Sequence, residues 1–197
     1  MMKKVGLFGG TFNPPHIGHL IMANEVYAAL GLSEVRFMPN AKAPHKEAST
    51  TATNEQRLKM VELAIQGVPH FTVETFELER GGISYTYNTM EAMCEREPDV
   101  EFYFIIGGDM IDSLHTWYHI DELTRLVQFV GVKRPGSEAK TDYNVLMVEA
   151  PEINLSSTFI RKRLQQQGSL QFLLPEAVER YIRKEGLYGA SSDVSGN

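Results

Sequence analysis

Short strands alternating with helices place this chain in the α/β class, as a mostly parallel sheet with helices on both faces and a single domain. Three observations predict it. Runs rich in β-branched and aromatic residues end in glycine or proline. The stretches between them carry apolar residues at helical spacing. No internal repeat and no linker divides the chain, and 197 residues are enough for one real hydrophobic core.

The elements follow in order. Residues 3–8 (KKVGLF) read as a buried strand that meets a turn at Gly9-Gly10. From His16 to Leu30 the apolar positions Ile17, Leu20, Ile21, Val26 and Leu30 share one side, and Gly31 follows where a left-handed C-cap belongs. Residues 34–38 (EVRFM) form a second strand, stopped by Pro39-Asn40, and the polar stretch 40–52 reads as a mobile loop. Thr53 and Gln56 have the spacing of a capping box, which opens a helix through about Ile65. Residues 71–78 (FTVETFEL) alternate as a strand does and stop at Gly81-Gly82. A helix over 86–96 precedes a strand at 101–106 that runs into Gly107-Gly108-Asp109. Two short helical pieces lead to strands at 126–132 and near 145–149, and helices follow over 157–167 and 175–185. The domain spans 1–188, and the tail 189–197 has no periodic pattern and is expected to be disordered.

Composition excludes several classes. With 43% hydrophobic and 22% charged residues the chain is an ordinary soluble protein, and its formal charge of −6 offers no global attraction for nucleic acid or an acidic membrane. Any anionic ligand must be held by local positive groups. The one cysteine, Cys94, rules out an internal disulfide and argues against a cysteine zinc site. The apolar run behind Lys3 and Lys4 is too short for a signal peptide, no stretch is long enough to span a bilayer, and the cytoplasm is the expected location. A homo-oligomer is compatible with all of this.

In such sheets ligands bind beyond the carboxyl ends of the strands, where strand order reverses, so the segments just after strands are where chemistry is sought. The first is GGTFNPPHIGHL, which matches neither a P-loop nor a dinucleotide fingerprint. Gly9 and Gly10 let backbone approach a ligand closely. His16 and His19 lie three apart, on one face of a helix's first turn, where free N–H groups and the helix dipole favour an anion. Spacing alone leaves open an ordinary capping pair. A zinc pair would need a third ligand, which no nearby cysteine pair or His-Glu partner supplies. The second segment is NLSSTFIRKRL. Ser156, Ser157 and Thr158 suit a helix start, and Arg161 lies on the same face, able to reach back over the first-turn amides. Hydroxyls, amides and a guanidinium would together receive a polyphosphate. A plain Ser-capped helix with a solvated basic face, including Lys162 and Arg163, is the alternative.

The string GTFNPPHIGH resembles the (H/T)xGH phosphate-binding motif of the nucleotidyltransferase superfamily, and SSTFIR resembles its second motif, ISSTxIR. The Asn-Pro-Pro and the elements between point to the bacterial nicotinate-nucleotide adenylyltransferases. The likeness runs from Lys3 to Tyr188 and implies a Rossmann-like fold. It also implies the reaction: nicotinate mononucleotide attacks the α-phosphorus of ATP, giving nicotinate adenine dinucleotide and pyrophosphate in NAD biosynthesis. On that resemblance His16, His19 and Arg161 are catalytic. ATP would lie against Gly9, Gly10, Thr11 and Phe12, against Gly107 and Asp109, and against Ser156, Ser157, Thr158 and Arg161. Magnesium would be held mainly by phosphates and water, with no protein metal ligand.

The acceptor side of the resemblance rests on four segments. Asn40, Lys42, His45 and Lys46 match the family's PNxxPPHK stretch, with Ala43 in place of its first proline. Tyr85-Thr86 matches an S-Y-T element that contacts the nicotinate. Trp117-Tyr118 matches a W-Y element whose indole stacks on the pyridine, although a lone Trp is more often packing. Arg134, after the fifth strand, would lie near phosphate or adenine. The alternatives keep the chemistry on nicotinamide mononucleotide or phosphopantetheine, or make the chain a non-catalytic nucleotide sensor.

Overall fold

A computed structural model describes residues 2–42, 52–133, 141–151 and 153–190, apart from the side chains of Asp109 and Lys133. Its centre is a six-stranded sheet, β1 (Lys3–Gly10), β2 (Glu34–Pro39), β3 (Phe71–Val73), β4 (Val100–Gly107), β5 (Gln128–Lys133) and β6 (Val145–Glu149). The strand order is β3-β2-β1-β4-β5-β6 and every pairing is parallel. Parallel pairing needs crossovers, and those as far as β5 carry α1 (Ile17–Leu30), α2 (Asn54–Ile65), α3 (Phe76–Arg80), α4 (Thr86–Arg96), α5 (Gly108–Ile111) and α6 (Ile120–Leu126), while α7 (Ser157–Gln165) and α8 (Glu176–Lys184) follow β6.

Period-two alternation divides the core. Phe8, Phe37, Tyr103, Ile105 and Val130 face one side, with Ala23 and Val26 of α1 and Val61 of α2. Leu7, Met38, Phe102, Phe104 and Phe129 face the other, with Met90 and Met93 of α4 and Leu123 of α6. A third cluster joins α2, α7, α8 and the C-terminal turn through Met60, Ile160, Leu164, Val178, Ile182 and Tyr188.

Local signals hold where they are strongest. Gly31 caps α1 with φ 58°, in the left-handed region, and Thr53 and Gln56 form the capping box of α2. One expected strand is corrected. Of residues 71–78 only Phe71–Val73 pair with β2, and Phe76–Arg80 turn into α3. The reason is burial: Glu77 is 5% exposed and accepts the Thr89 hydroxyl of α4 at 2.9 Å, a contact that alternation does not encode. The tail is expected to begin at Gly189. Gly189 closes the 3-10 turn Leu187–Gly189 and Ala190 is buried, while 191–197 lie outside the described residues. No helix among the described residues is long and apolar enough to cross a membrane. Strand order reverses between β1 and β4, so Gly10 and Gly107 mark the crevice where this architecture binds ligands.

Candidate active site

The first half of the site is the connection from β1 to α1. Phe12 takes a positive φ of 48° and tucks its ring, 2% exposed, under the loop. A Cβ on Gly10 would stand 2.9 Å from the tip of that ring, so glycine there makes room for protein packing. His16 is the N-cap of α1 and is 5% exposed; its ring stacks on that of His19, centroids 3.6 Å apart. The His16 N–H donates to His19 Nδ1 at 3.1 Å, so a neutral His19 keeps its proton on Nε2, pointing a donor away from the backbone. Burial pushes His16 down to about 4, so it is uncharged at neutral pH, and among the described residues its buried Nδ1 finds no hydrogen-bond partner. Parallel stacking and the engaged Nδ1 make the pair a poor chelate for zinc.

The second half arrives from the far end of the chain and lands on the first. Ser157 donates its hydroxyl to the Pro14 carbonyl at 2.7 Å, and Arg161 donates to the Asn13 carbonyl at 2.8 Å. The other Arg161 nitrogen reaches the Thr158 hydroxyl at 3.1 Å, across one helical turn. Ser156 caps α7, its Oγ accepting the Phe159 N–H at 3.2 Å. So the two segments, about 140 residues apart in sequence, form one structure at the carboxyl end of the sheet.

Beside them lies a cleft of about 440 Å³, lined by Gly9, Gly10, Thr11, Asn40, Tyr85, Thr86, Trp117 and Tyr118 among others. His16, His19 and Arg161 do not line it, which separates an aromatic compartment from the cationic one. Trp117 packs edge-on against Phe104 and Phe129, with centroids 6.0 and 5.9 Å away, so the core fixes its plane while its remaining surface faces the cleft. Tyr85 and Tyr118 rings meet at 4.9 Å. Asn40 donates towards Thr11 Oγ1 at 3.5 Å, and the Lys42 carbonyl accepts the Ser84 N–H at 2.9 Å, which ties the start of the 40–52 segment to Tyr85-Thr86. Gly107 ends β4 and Asp109 lies in α5. His45, Lys46 and Arg134 lie outside the described residues.

Sequence reasoning missed Arg57. It is 4% exposed and donates to the Thr11 carbonyl at 2.7 Å and to Asn54 Oδ1 at 2.7 Å. The available signal was its place on α2, in line with buried Met60, Val61 and Ala64 at helical spacing, where a surface arginine does not belong.

The profile of the cytidylyltransferase-like family matches residues 7–163. A probable nicotinate-nucleotide adenylyltransferase of Geobacillus thermodenitrificans is 53% identical over 194 residues, 98% of this chain and 90% of the relative. Another from Lactiplantibacillus plantarum is 54% identical over 186 residues, 94% of this chain and 88% of the relative. Among solved structures, the nicotinic acid mononucleotide adenylyltransferase of Plasmodium falciparum in complex with NaAD superposes with a TM-score of 0.80, covering 97% of this chain and 100% of that one. Sequence identity there is 18%, so that likeness speaks for the fold. The chain therefore belongs to the cytidylyltransferase-like family and, within it, to the nicotinate-nucleotide adenylyltransferases.

Proposed function

We propose that this chain transfers the adenylyl group of ATP to nicotinate mononucleotide, releasing pyrophosphate and forming nicotinate adenine dinucleotide, in the cytoplasm. The observation that carries the reading is the docking of Ser157 and Arg161 on the backbone of Pro14 and Asn13, immediately before the histidine pair. Cationic and N–H donors from two helix starts thereby face one small region.

The acceptor's phosphate attacks the α-phosphorus, and the bond to the β-phosphate oxygen breaks. A phosphate monoester has a second pKa of about 6, so the nucleophile is already ionised at neutral pH and no general base is required. The protein's work is to hold two anions in line and to stabilise charge on the α-phosphoryl oxygens and the departing pyrophosphate. His19 donates from Nε2 to the phosphoryl oxygens. His16 is neutral and buried against it, and holds the ring in its donating orientation by stacking. Arg161, with the hydroxyls of α7, holds the β and γ end. Magnesium, when present, would be held mainly by phosphate oxygens and water and would add charge neutralisation on the triphosphate.

The aromatic compartment suits the pyridine ring, with Trp117 as the stacking surface and Tyr85, Thr86 and Tyr118 at its edges. Thr11 and Asn40 line the same cleft, with side chains 3.5 Å apart, and in this reading they hold the acceptor phosphate. His45, Lys46 and Arg134 supply positive charge around the nucleotides in this reading.

The test is pyrophosphate release from ATP with nicotinate mononucleotide, nicotinamide mononucleotide and phosphopantetheine offered separately. Release with the first should exceed that with the others by about tenfold or more in kcat/KM. Equal rates with the first two would overturn the choice of acceptor, and no release with any would overturn the reaction.

A further inference from the structure

The β1–α1 connection is held by side chains from other parts of the chain. Its carbonyls at Thr11, Asn13 and Pro14 each accept a side-chain donor, from Arg57, Arg161 and Ser157. The Asn13 side-chain oxygen accepts the Tyr188 hydroxyl. Arg161 and Ser157 already have a place in the proposed reaction. Arg57, from α2, and Tyr188, from the C-terminal turn, do not.

Both are held at a cost. Arg57 is 4% exposed, donates to the carbonyls of Thr11 and Asn40 and to the Asn54 side chain, and among the described residues no carboxylate pairs with it. A buried cation answered only by neutral oxygens is poorly compensated, and burial lowers its pKa accordingly. Tyr188 is an aromatic residue at φ 58°, and it meets a loop in which Phe12 sits at φ 48°. Backbone of this kind persists only where the surroundings over-determine it. Burial raises the Tyr188 phenol, so it stays a proton donor to Asn13 throughout the working pH range.

We infer that Arg57 and Tyr188 are positioning residues, which clamp residues 11–13 in the shape that receives the triphosphate and leave at Arg57 a buried positive charge for the nucleotide's anion to offset. The inference rests on the nucleotidyl-transfer reading above. Neither residue need touch a substrate, since each acts through the carbonyl or amide oxygen it holds.

The experiment uses the full chain with Arg57→Met, Arg57→Lys and Tyr188→Phe. Three quantities are measured: amide hydrogen exchange in the free protein, affinity for a non-hydrolysable ATP analogue, and KM for each substrate. Exchange at residues 11–20 should rise about tenfold or more in Arg57→Met, while amides of β4 and α4 keep their protection. Affinity for the analogue should fall about tenfold in Arg57→Met and severalfold in Tyr188→Phe, and KM for ATP should rise with it. Lysine should restore little, because one ammonium cannot reproduce the fork that reaches three oxygens. Exchange rising evenly over the whole sheet, unchanged exchange and affinity, or full rescue by lysine would each overturn the clamp. If the wild type binds the analogue yet transfers to no acceptor, the reaction reading fails, while exchange and affinity still judge the clamp.

Discussion

Two arginines, one at each end of the sheet, show how charge is used in this molecule. Arg36 lies toward the amino ends of the strands and meets Glu97 through two bonds of 2.7 Å and Glu34 at 2.9 Å. Arg96, Glu74 and Lys3 extend the network, and every cation in it faces a carboxylate. Arg57, toward the carboxyl ends, is at least as buried and, among the described residues, bonds only carbonyl and amide oxygens. The balanced end is complete as it stands. The other end has its buried cation among neutral oxygens, close to the loop that Arg161 also holds.

The largest expected effect that sharpens this contrast is at His19. Replacing it by alanine should lower turnover by about 100-fold or more while the melting temperature stays near that of the wild type, as loss of one preorganised donor does. Turnover close to wild type would remove His19 from the reaction.

The two ends should also separate by pH. His16 has its pKa lowered in the fold to about 4 from an ordinary 6.5, so the unfolded chain binds more protons between those values. Its contribution is therefore fully present above 6.5 and is lost as pH falls toward 4, by about 3 kcal/mol in all. At the other end Arg36 first, and Arg96 after it, hold Glu97 down to about 2, so that contribution survives to 4.5 and is lost only below it. Urea unfolding from pH 7 to 3 should show both falls. In His16→Phe, which keeps a stacked ring that cannot titrate, the upper fall should shrink and the lower one remain. An unchanged upper fall would show that His16 is not its source.

Arg36→Met should cost about 2 kcal/mol of stability, by leaving carboxylates without their cation, with kcat/KM within about twofold of wild type. A large loss of kcat/KM without loss of stability would break the division between the two ends.

The chain's own pattern carried most of the fold. Gly31, the Thr53-Gln56 box and the glycines closing β1 and β4 are local signals with local causes, and their elements stand where expected. Residues 74–78 leave the expected strand because Glu77 is buried by its bond to Thr89, twelve positions away, and period-two spacing is silent about such a contact. The histidine pair and the Ser157–Arg161 group could be named from type and spacing, but not the bonds that unite them, which join Asn13 to Arg161 and Pro14 to Ser157. Tyr188 was invisible as a site residue for the same reason: its partner, Asn13, lies 175 positions away.

The central claim is that both helix starts act on a single triphosphate, and a double-mutant cycle tests it most directly. His19→Ala, Arg161→Ala and the double variant are compared by kcat/KM with ATP varied at saturating nicotinate mononucleotide. Groups that stabilise one transition state together are non-additive, so the double variant should lose clearly less than the product of the single losses, by about tenfold or more. Losses that multiply cleanly would mean that the two groups act independently, and would contradict the account.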